Sequence, residues 1–431
     1  MSYNIVWLRR DLRLNDHHAL YQALQAGKPV QLLFIFDAEI LHELPEKDAR
    51  VDFLFQQLQK LNLSIQPLGS SIRIEHGKVE DVWERIHSDK APSAIFCNRD
   101  YEPYAKERDQ RIKTWAESKG ISFHDFADQV AMEPHEVLKD NGSPYTVFTP
   151  YSRKWKERLE QKGGIPYFPS EQHLDGLISS SYPMPSLESL GFQPSGMNFP
   201  SPEVPKSRIM NYDKTRNFPS IEGTSRLSVH LRFGTVSPRE KMAKALQVNA
   251  KFATELIWRE FYMSILAHFP RVTQQSFKPE YDRIEWRNNP EEFEAWKKGK
   301  TGYPLVDAGM RELNRSGHMH NRVRMVVASF LTKHLLIDWR WGEAYFAEKL
   351  LDFELSSNNG GWQWAAGSGV DAAPYFRVFN PQLQLEKFDK QMAYVRRWVP
   401  EYGSPSYPKP IVEHSFARQR CLETYAKALK P

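Results

Sequence analysis

Between Ser356 and Pro381 the chain reads SSNNGGWQWAAGSGVDAAPYFRVFNP. Trp362 and Trp364 stand two positions apart, which on a helix turns the two indoles in clearly different directions, one inward and one outward. Gly360 and Gly361 let backbone lie against something flat at little steric cost, and Asn358 and Asn359 add polar groups beside them. That combination fits a site for a flat ligand, although an aromatic-rich core turn uses the same residues. Further upstream, Glu255, Trp258 and Arg259 fall at i, i+3 and i+4 on one helix face. A carboxylate that accepts N–H donors beside a stacking ring suits a nucleobase-like ligand; a Glu–Arg pair over a core Trp is the plainer reading. Gly-Thr-Ser-Arg-Leu-Ser at 223–228, just ahead of a helix, can hold a phosphate with free amides and a favourable dipole, or serve as an ordinary cap. The run NRSGHMHNRVRM at 314–325 concentrates Arg315, Arg322 and Arg324 with His320, enough to neutralise phosphates or to form solvated helix faces. His318 and His320, two apart, share no helix face, so a metal site is not expected. Cys97 and Cys421 lack any CxxC or Cys/His spacing, which leaves neither a zinc site nor a disulfide framework.

The elements that position these groups divide the chain in two. Apolar runs at 3–8, 30–36, 71–75 and 94–97 read as strands, with helices from about Asn15, at 49–61, at 79–86 and at 104–119. Alternating strand and helix predicts α/β architecture: an N-terminal doubly wound, Rossmann-like parallel sheet over 1–128. Arg9, Arg10 and Arg13 stand where a GxGxxG turn would place glycines, so a standard pyrophosphate-binding turn is disfavoured. From 129 to 205 the periodicity fades into Pro, Ser and Gly, a connector with at most short helices such as 152–161. Beyond 206 long amphipathic segments dominate, at 237–247, 252–268, 303–316, 321–337, 342–350 and 392–399, and predict an all-helical C-terminal domain over 206–431.

Composition sets outer bounds. The 431 residues carry a formal charge of +5, a mild excess that suits a nucleic-acid partner and many ordinary enzymes alike. Aromatic residues make up 13% of the chain, with 12 Trp, and stacking surfaces are one use for such a surplus. No apolar window is long enough to span a bilayer and the amino terminus is charged too soon for a signal peptide, so a cytoplasmic protein without a membrane is expected.

Six separated motifs, in order, resemble the photolyase/cryptochrome family, and most closely its class I enzymes for cyclobutane pyrimidine dimers: WLRRDLRLNDHHAL, GTSRLS, ELIWREFY, GKTGYPLVDAGMREL, MHNRVRM and NNGGWQWAAGSGVDAAPYFRVFNP. The resemblance implies a light-driven lyase for UV-damaged DNA, acting as a monomer with FAD in the helical domain. It implies that Tyr212 and Thr224, Ser225, Arg226, Leu227 and Ser228 contact FAD around its phosphates. Phe252 stands where the family commonly has a Trp in the flavin pocket. Arg324 and Asp352 would flank the isoalloxazine as an ion pair, with Phe353 and Glu354 beside them and Asn358 near the flavin N5; Glu354 replaces the more usual Asp. For DNA, Glu255 would hydrogen-bond the dimer, Trp258 and Trp364 would wall it in, and Asn321 and Met325 would complete the pocket. Arg216, Arg322 and Arg377 would hold flanking phosphates, with Arg259 alongside. Trp362, Trp339 and Trp286 match the family's electron-transfer chain.

In the family a second, light-harvesting chromophore often accompanies FAD, and the resemblance leaves both an occupied and an empty antenna site open. Tyr104 and Ala105 occupy the places where folate-binding relatives carry Asn-Glu, so a deazaflavin or FMN is favoured over methenyltetrahydrofolate. Two other roles in the family fit less well. A photoreceptor of the cryptochrome type often has a long C-terminal extension, whereas this chain ends at Pro431. Repair of (6-4) photoproducts uses a His pair in the pocket, and here Asn321 follows His320.

Overall fold

The computed structural model describes residues 2–430. Their Cα atoms group into two compact units, each discontinuous in sequence: 2–136 with 156–203 and 226–247, and 137–155 with 204–225 and 248–430.

The first unit is built on a parallel sheet of β1 (Asn4–Leu8), β2 (Val30–Asp37), β3 (Arg73–Gly77), β4 (Ala94–Asn98) and β5 (Ser122–Phe126), in spatial order β3-β2-β1-β4-β5. Asn4 lies beside Val30 on one side and Ala94 on the other. Every residue of β1 is buried, and its side chains alternate between two cores. Val6 and Leu8 enter one, Ile5 and Trp7 the other, as a sheet covered on both faces requires. The connections run through α1 (His18–Gln25), α2 (Ala49–Ile65), α3 (Val79–Lys90) and α4 (Pro103–Ser118). The doubly wound expectation is met with one correction: β5 is a fifth strand, paired with β4. The turn after β1 is filled by ion pairs. Arg9 meets Asp109, Arg10 meets Asp100 at 3.1 Å and Glu102 at 3.0 Å, and Arg13 meets buried Asp128 at 2.7 Å. These guanidiniums are neutralised by carboxylates of their own unit, which agrees with a turn not built for pyrophosphate.

The second unit is helical. Its main elements are α5 (Ala250–His268), α6 (Pro304–Ser316), α7 (Asn321–Ser329), α8 (Trp339–Lys349), α9 (Leu355–Ala366), α10 (Pro381–Phe388) and α11 (His414–Leu429). Caps fix where they begin: Asn249 accepts from the amides of Lys251 and Phe252, and Asp338 from that of Arg340. Gly367, at φ 94°, ends α9 in the left-handed region. The expected helix over 321–337 is shorter than its periodicity promised. After Ser329 the ladder widens into a single π-turn, Phe330–His334, and the chain then turns away before α8.

Helix α9 packs on α5, α7 and α8, and two glycines set those contacts. A Cβ at Gly342 of α8 would collide with the Trp362 ring, and one at Gly360 with the Tyr262 ring of α5. The flat partner of Gly360 is therefore a tyrosine of the protein itself.

Candidate cofactor and nucleic-acid site

Helix α9 separates its two indoles as their spacing predicts. Trp362 is 2% exposed and joins the core, while Trp364 is only partly buried. Gly361 is the exception on this helix: it is exposed, and a Cβ there would meet nothing within 4 Å. Ser357, Gly361 and Trp364 follow one another at i, i+4 and i+7, so one stripe of α9 borders open space beside an indole. Asn358 is buried and its amide donates to the backbone carbonyl of Glu343 on α8 at 3.0 Å.

On α5 the face predicted from spacing is present. The ring of Trp258 stacks on Phe148 at 3.7 Å and 5°, so only one side of the indole is left for a ligand. Glu255 pairs with Arg216, and Arg216 also lies over the Tyr212 ring at 5.4 Å. A negative group and a positive group expected to meet different parts of a nucleic acid thus neutralise each other here. Arg259 pairs with buried Glu354 at 3.4 Å, so the longer Glu side chain reaches a partner on the neighbouring helix.

Helix α7 contributes the cationic run. Arg324 holds Asp352 at 2.9 Å and donates through Nε to the Met319 carbonyl at 2.7 Å; Phe353 packs partly buried beside them against the core. Arg322 donates to Asn217 at 2.8 Å, lies over the Phe388 ring at 4.5 Å and approaches the Met325 sulfur at 3.7 Å. Asn321 opens the helix exposed to solvent. His320, which caps α7 through Nδ1, keeps a buried Nε2 without a hydrogen-bond partner. Burial holds this imidazole down at about 4, so the ring is neutral with its proton on Nε2.

Tyr212 and Phe252 are buried with rings edge-on at 5.1 Å. Thr224 and Ser225 belong to the helical unit and Arg226, Leu227 and Ser228 to the sheet unit. Arg226 sits at φ 53° and Ser228 opens a five-residue helix. Trp339 is 1% exposed and Trp286 half-buried, so burial decreases from Trp362 and Trp339 to Trp286. Arg377 lies exposed on the loop after α9.

Glu343 is the residue that sequence reasoning missed. Burial pushes its carboxyl up to about 7, against a hydrogen bond from Asn359 that pulls the other way. The pattern Trp-Gly-Glu-Ala carries no sign of this, because the burial comes from α9 packing over α8. Among the described residues no three His, Cys, Asp or Glu side chains come together as a metal site.

The open stripe on α9, the Arg324–Asp352 pair and the unpartnered donor of His320 fit a planar, polar, anionic cofactor such as a flavin nucleotide. Sequence comparison agrees with that class. Residues 252–406 match the FAD binding domain of DNA photolyase, and residues 4–170 match DNA photolyase. The deoxyribodipyrimidine photo-lyase of Halobacterium salinarum is 36% identical over 98% of this chain and 99% of its own length. A class III photolyase from Agrobacterium tumefaciens superimposes with a TM-score of 0.87 at 33% identity, over 100% of this chain and 98% of that one. An archaeal photolyase from Sulfolobus tokodaii, solved with two FAD molecules, gives a TM-score of 0.84 at 32% identity, over 99% and 100%. The fold and the site define a two-part flavoprotein of the light-driven kind. The chain belongs to the DNA photolyase family.

Proposed function

We propose that this protein is a deoxyribodipyrimidine photo-lyase that reverses cyclobutane pyrimidine dimers in UV-damaged DNA under light. The observation that carries the reading is the face of α5 and its surroundings, where an acceptor, Glu255, and a half-sandwiched indole, Trp258, stand beside Arg216 in a chain alike to such enzymes from end to end. When bound and fully reduced, FAD supplies on blue-light excitation one electron, which opens the cyclobutane bonds and returns, so there is no net redox change.

The chain's own residues bind and orient. Tyr212 and the 224–228 segment hold the cofactor phosphates, with amides and hydroxyls as donors. Phe252 supplies packing without an N–H. The Arg324–Asp352 pair, Phe353 and Glu354 would frame the ring system, and Asn358, held by its amide on the Glu343 carbonyl at 3.0 Å, would lie near the ring's polar edge. A dimer stacks poorly, so everting it costs less than everting intact bases. Trp258 and Trp364 receive its faces, Glu255 accepts from its N–H groups, and Asn321 and Met325 fill the remaining wall. Arg216, Arg322, Arg259 and Arg377 place the strand through its phosphates without reading sequence. Trp362, Trp339 and Trp286 pass electrons inward from the surface when the cofactor is oxidised.

While 156–203 and 226–247 pack with the sheet unit, we assign FAD and DNA binding to 206–431, a connecting role to 129–205 and an antenna chromophore to 1–128. A deazaflavin or FMN is preferred there, because Tyr104 stands at a folate-marking position and its hydroxyl is already engaged by Asp37 at 2.5 Å and Glu39 at 3.1 Å. The protein acts as a cytoplasmic monomer; among the described residues no helix is long and apolar enough to cross a membrane. Repair of a thymine-dimer oligonucleotide by reduced protein under blue light tests the whole reading. Restoration of intact thymines is expected; none at saturating protein rejects it.

A further inference from the structure

Lys333 has no part in the chemistry above, yet it is 1% exposed. It lies in the π-turn Phe330–His334, against Cys421 of α11, and among the described residues no carboxylate pairs with it. Its ammonium donates to one acceptor, the backbone carbonyl of Arg377, at 3.0 Å. A buried cation without a counter-ion is costly, so this arrangement is poorly explained as a device for stability. Burial pulls the amine down to about 8, which still leaves it protonated at neutral pH.

The acceptor is what gives the contact meaning. Arg377 sits on the loop between α9 and α10 that exposes both its own guanidinium and Phe376, the latter 60% exposed. The loop has few internal ties: Arg377 donates its amide to Pro374 at 2.9 Å and Val378 to Phe376 at 3.1 Å. Tyr375 stacks on Tyr425 of α11 at 5.8 Å and 14°. That ring contact anchors one side of the loop, and the lysine grips its backbone at the one residue expected to touch DNA. The extra residue of a π-turn re-aims side chains relative to an α-helix, and such turns recur at functional sites.

We propose that Lys333 is a positioning residue for DNA binding: through the carbonyl of Arg377 it fixes the loop so that the Arg377 guanidinium is presented to a phosphate of the damaged strand. This rests on the reading of Arg377 as a phosphate contact. A charge-assisted bond to a carbonyl holds backbone without occupying the guanidinium, leaving the arginine free for its phosphate.

Two measurements on the full chain carrying its cofactor separate the parts. Trypsin cleavage at the Arg377–Val378 bond under native conditions reports the loop alone. Lys333→Met is expected to speed it several-fold, and Lys333→Gln, which keeps a donor, to speed it less; an unchanged rate in both overturns the inference whatever Arg377 does. Binding to a duplex containing a thymine dimer, followed by fluorescence anisotropy over a range of salt, reports function. Arg377→Ala is expected to weaken binding and to lower the salt slope by about one. Lys333→Met is expected to weaken binding in the same way, with the double variant no worse than Arg377→Ala. Additive losses overturn the positioning role. If Arg377→Ala binds like the wild type, the phosphate reading itself fails, and a trypsin result showing a freed loop distinguishes that failure from the first.

Discussion

The rings of Trp258 and Phe148 lie face to face, 3.7 Å apart and 5° from parallel. The phenyl ring closes one side of the indole and holds its plane, so a base stacking on the other side meets a surface that is already oriented. Phe148→Ala should leave Trp258 able to tilt, weakening binding of dimer-containing DNA by about 1 kcal/mol with little change for intact DNA. Anisotropy titrations of both duplexes check this, with the thermal transition recorded to separate folding from recognition.

The Arg216–Glu255 ion pair leads to an asymmetric expectation. Glu255→Gln removes the negative charge, puts an NH2 donor in place of one of the two acceptor oxygens proposed to meet the lesion, and frees Arg216 from its carboxylate. Affinity for damaged DNA should fall while affinity for undamaged DNA rises, so the ratio of the two Kd values changes more than either one. A parallel loss on both substrates would refute the assignment.

Trp362 is buried against Gly342 at the heart of the helical core. Trp362→Phe keeps an aromatic ring and removes an oxidisable indole. Photoreduction of the oxidised flavin, followed by absorbance with an external reductant, should slow markedly, whereas repair by pre-reduced enzyme should stay nearly intact. Equal loss of both would count against a relay.

Glu343 provides a pH signature. Its carboxyl is raised by burial from an ordinary 4.5 to about 7, so between those values the folded protein keeps a proton that the unfolded chain has released. Stability therefore falls as pH rises through that window, by up to about 3 kcal/mol. Glu343→Gln has no proton to lose. Its denaturation midpoint relative to the wild type should rise from pH 5 to pH 8, as urea titrations at the two pH values would register.

How far the residues announced all this differs from place to place. The alternation of strands and helices in the first unit was legible because β1, β2 and β4 are mainly apolar and each is buried throughout. The fifth strand was not: SFHDF sits at the sheet edge with no residue fully buried, and half-exposed edges need no apolar run. Glu255, Trp258 and Arg259 could be placed on one face from spacing alone, since helical geometry is local. The end of α7 could not, because Phe330–His334 has the same apolar rhythm as a continuing helix. Nor could the pairing of Arg259 with Glu354 or the burial of Glu343, which arise only where separate helices meet.

The bare backbone at Gly342 has a further consequence. Because the Trp362 ring already fills the space where any β-carbon would go, every amino acid other than glycine at this position must push α8 and the indole apart. The gap between them is in effect a gauge block: engineers wishing to retune how readily that ring gives up an electron would have to work from the ring's remaining neighbours.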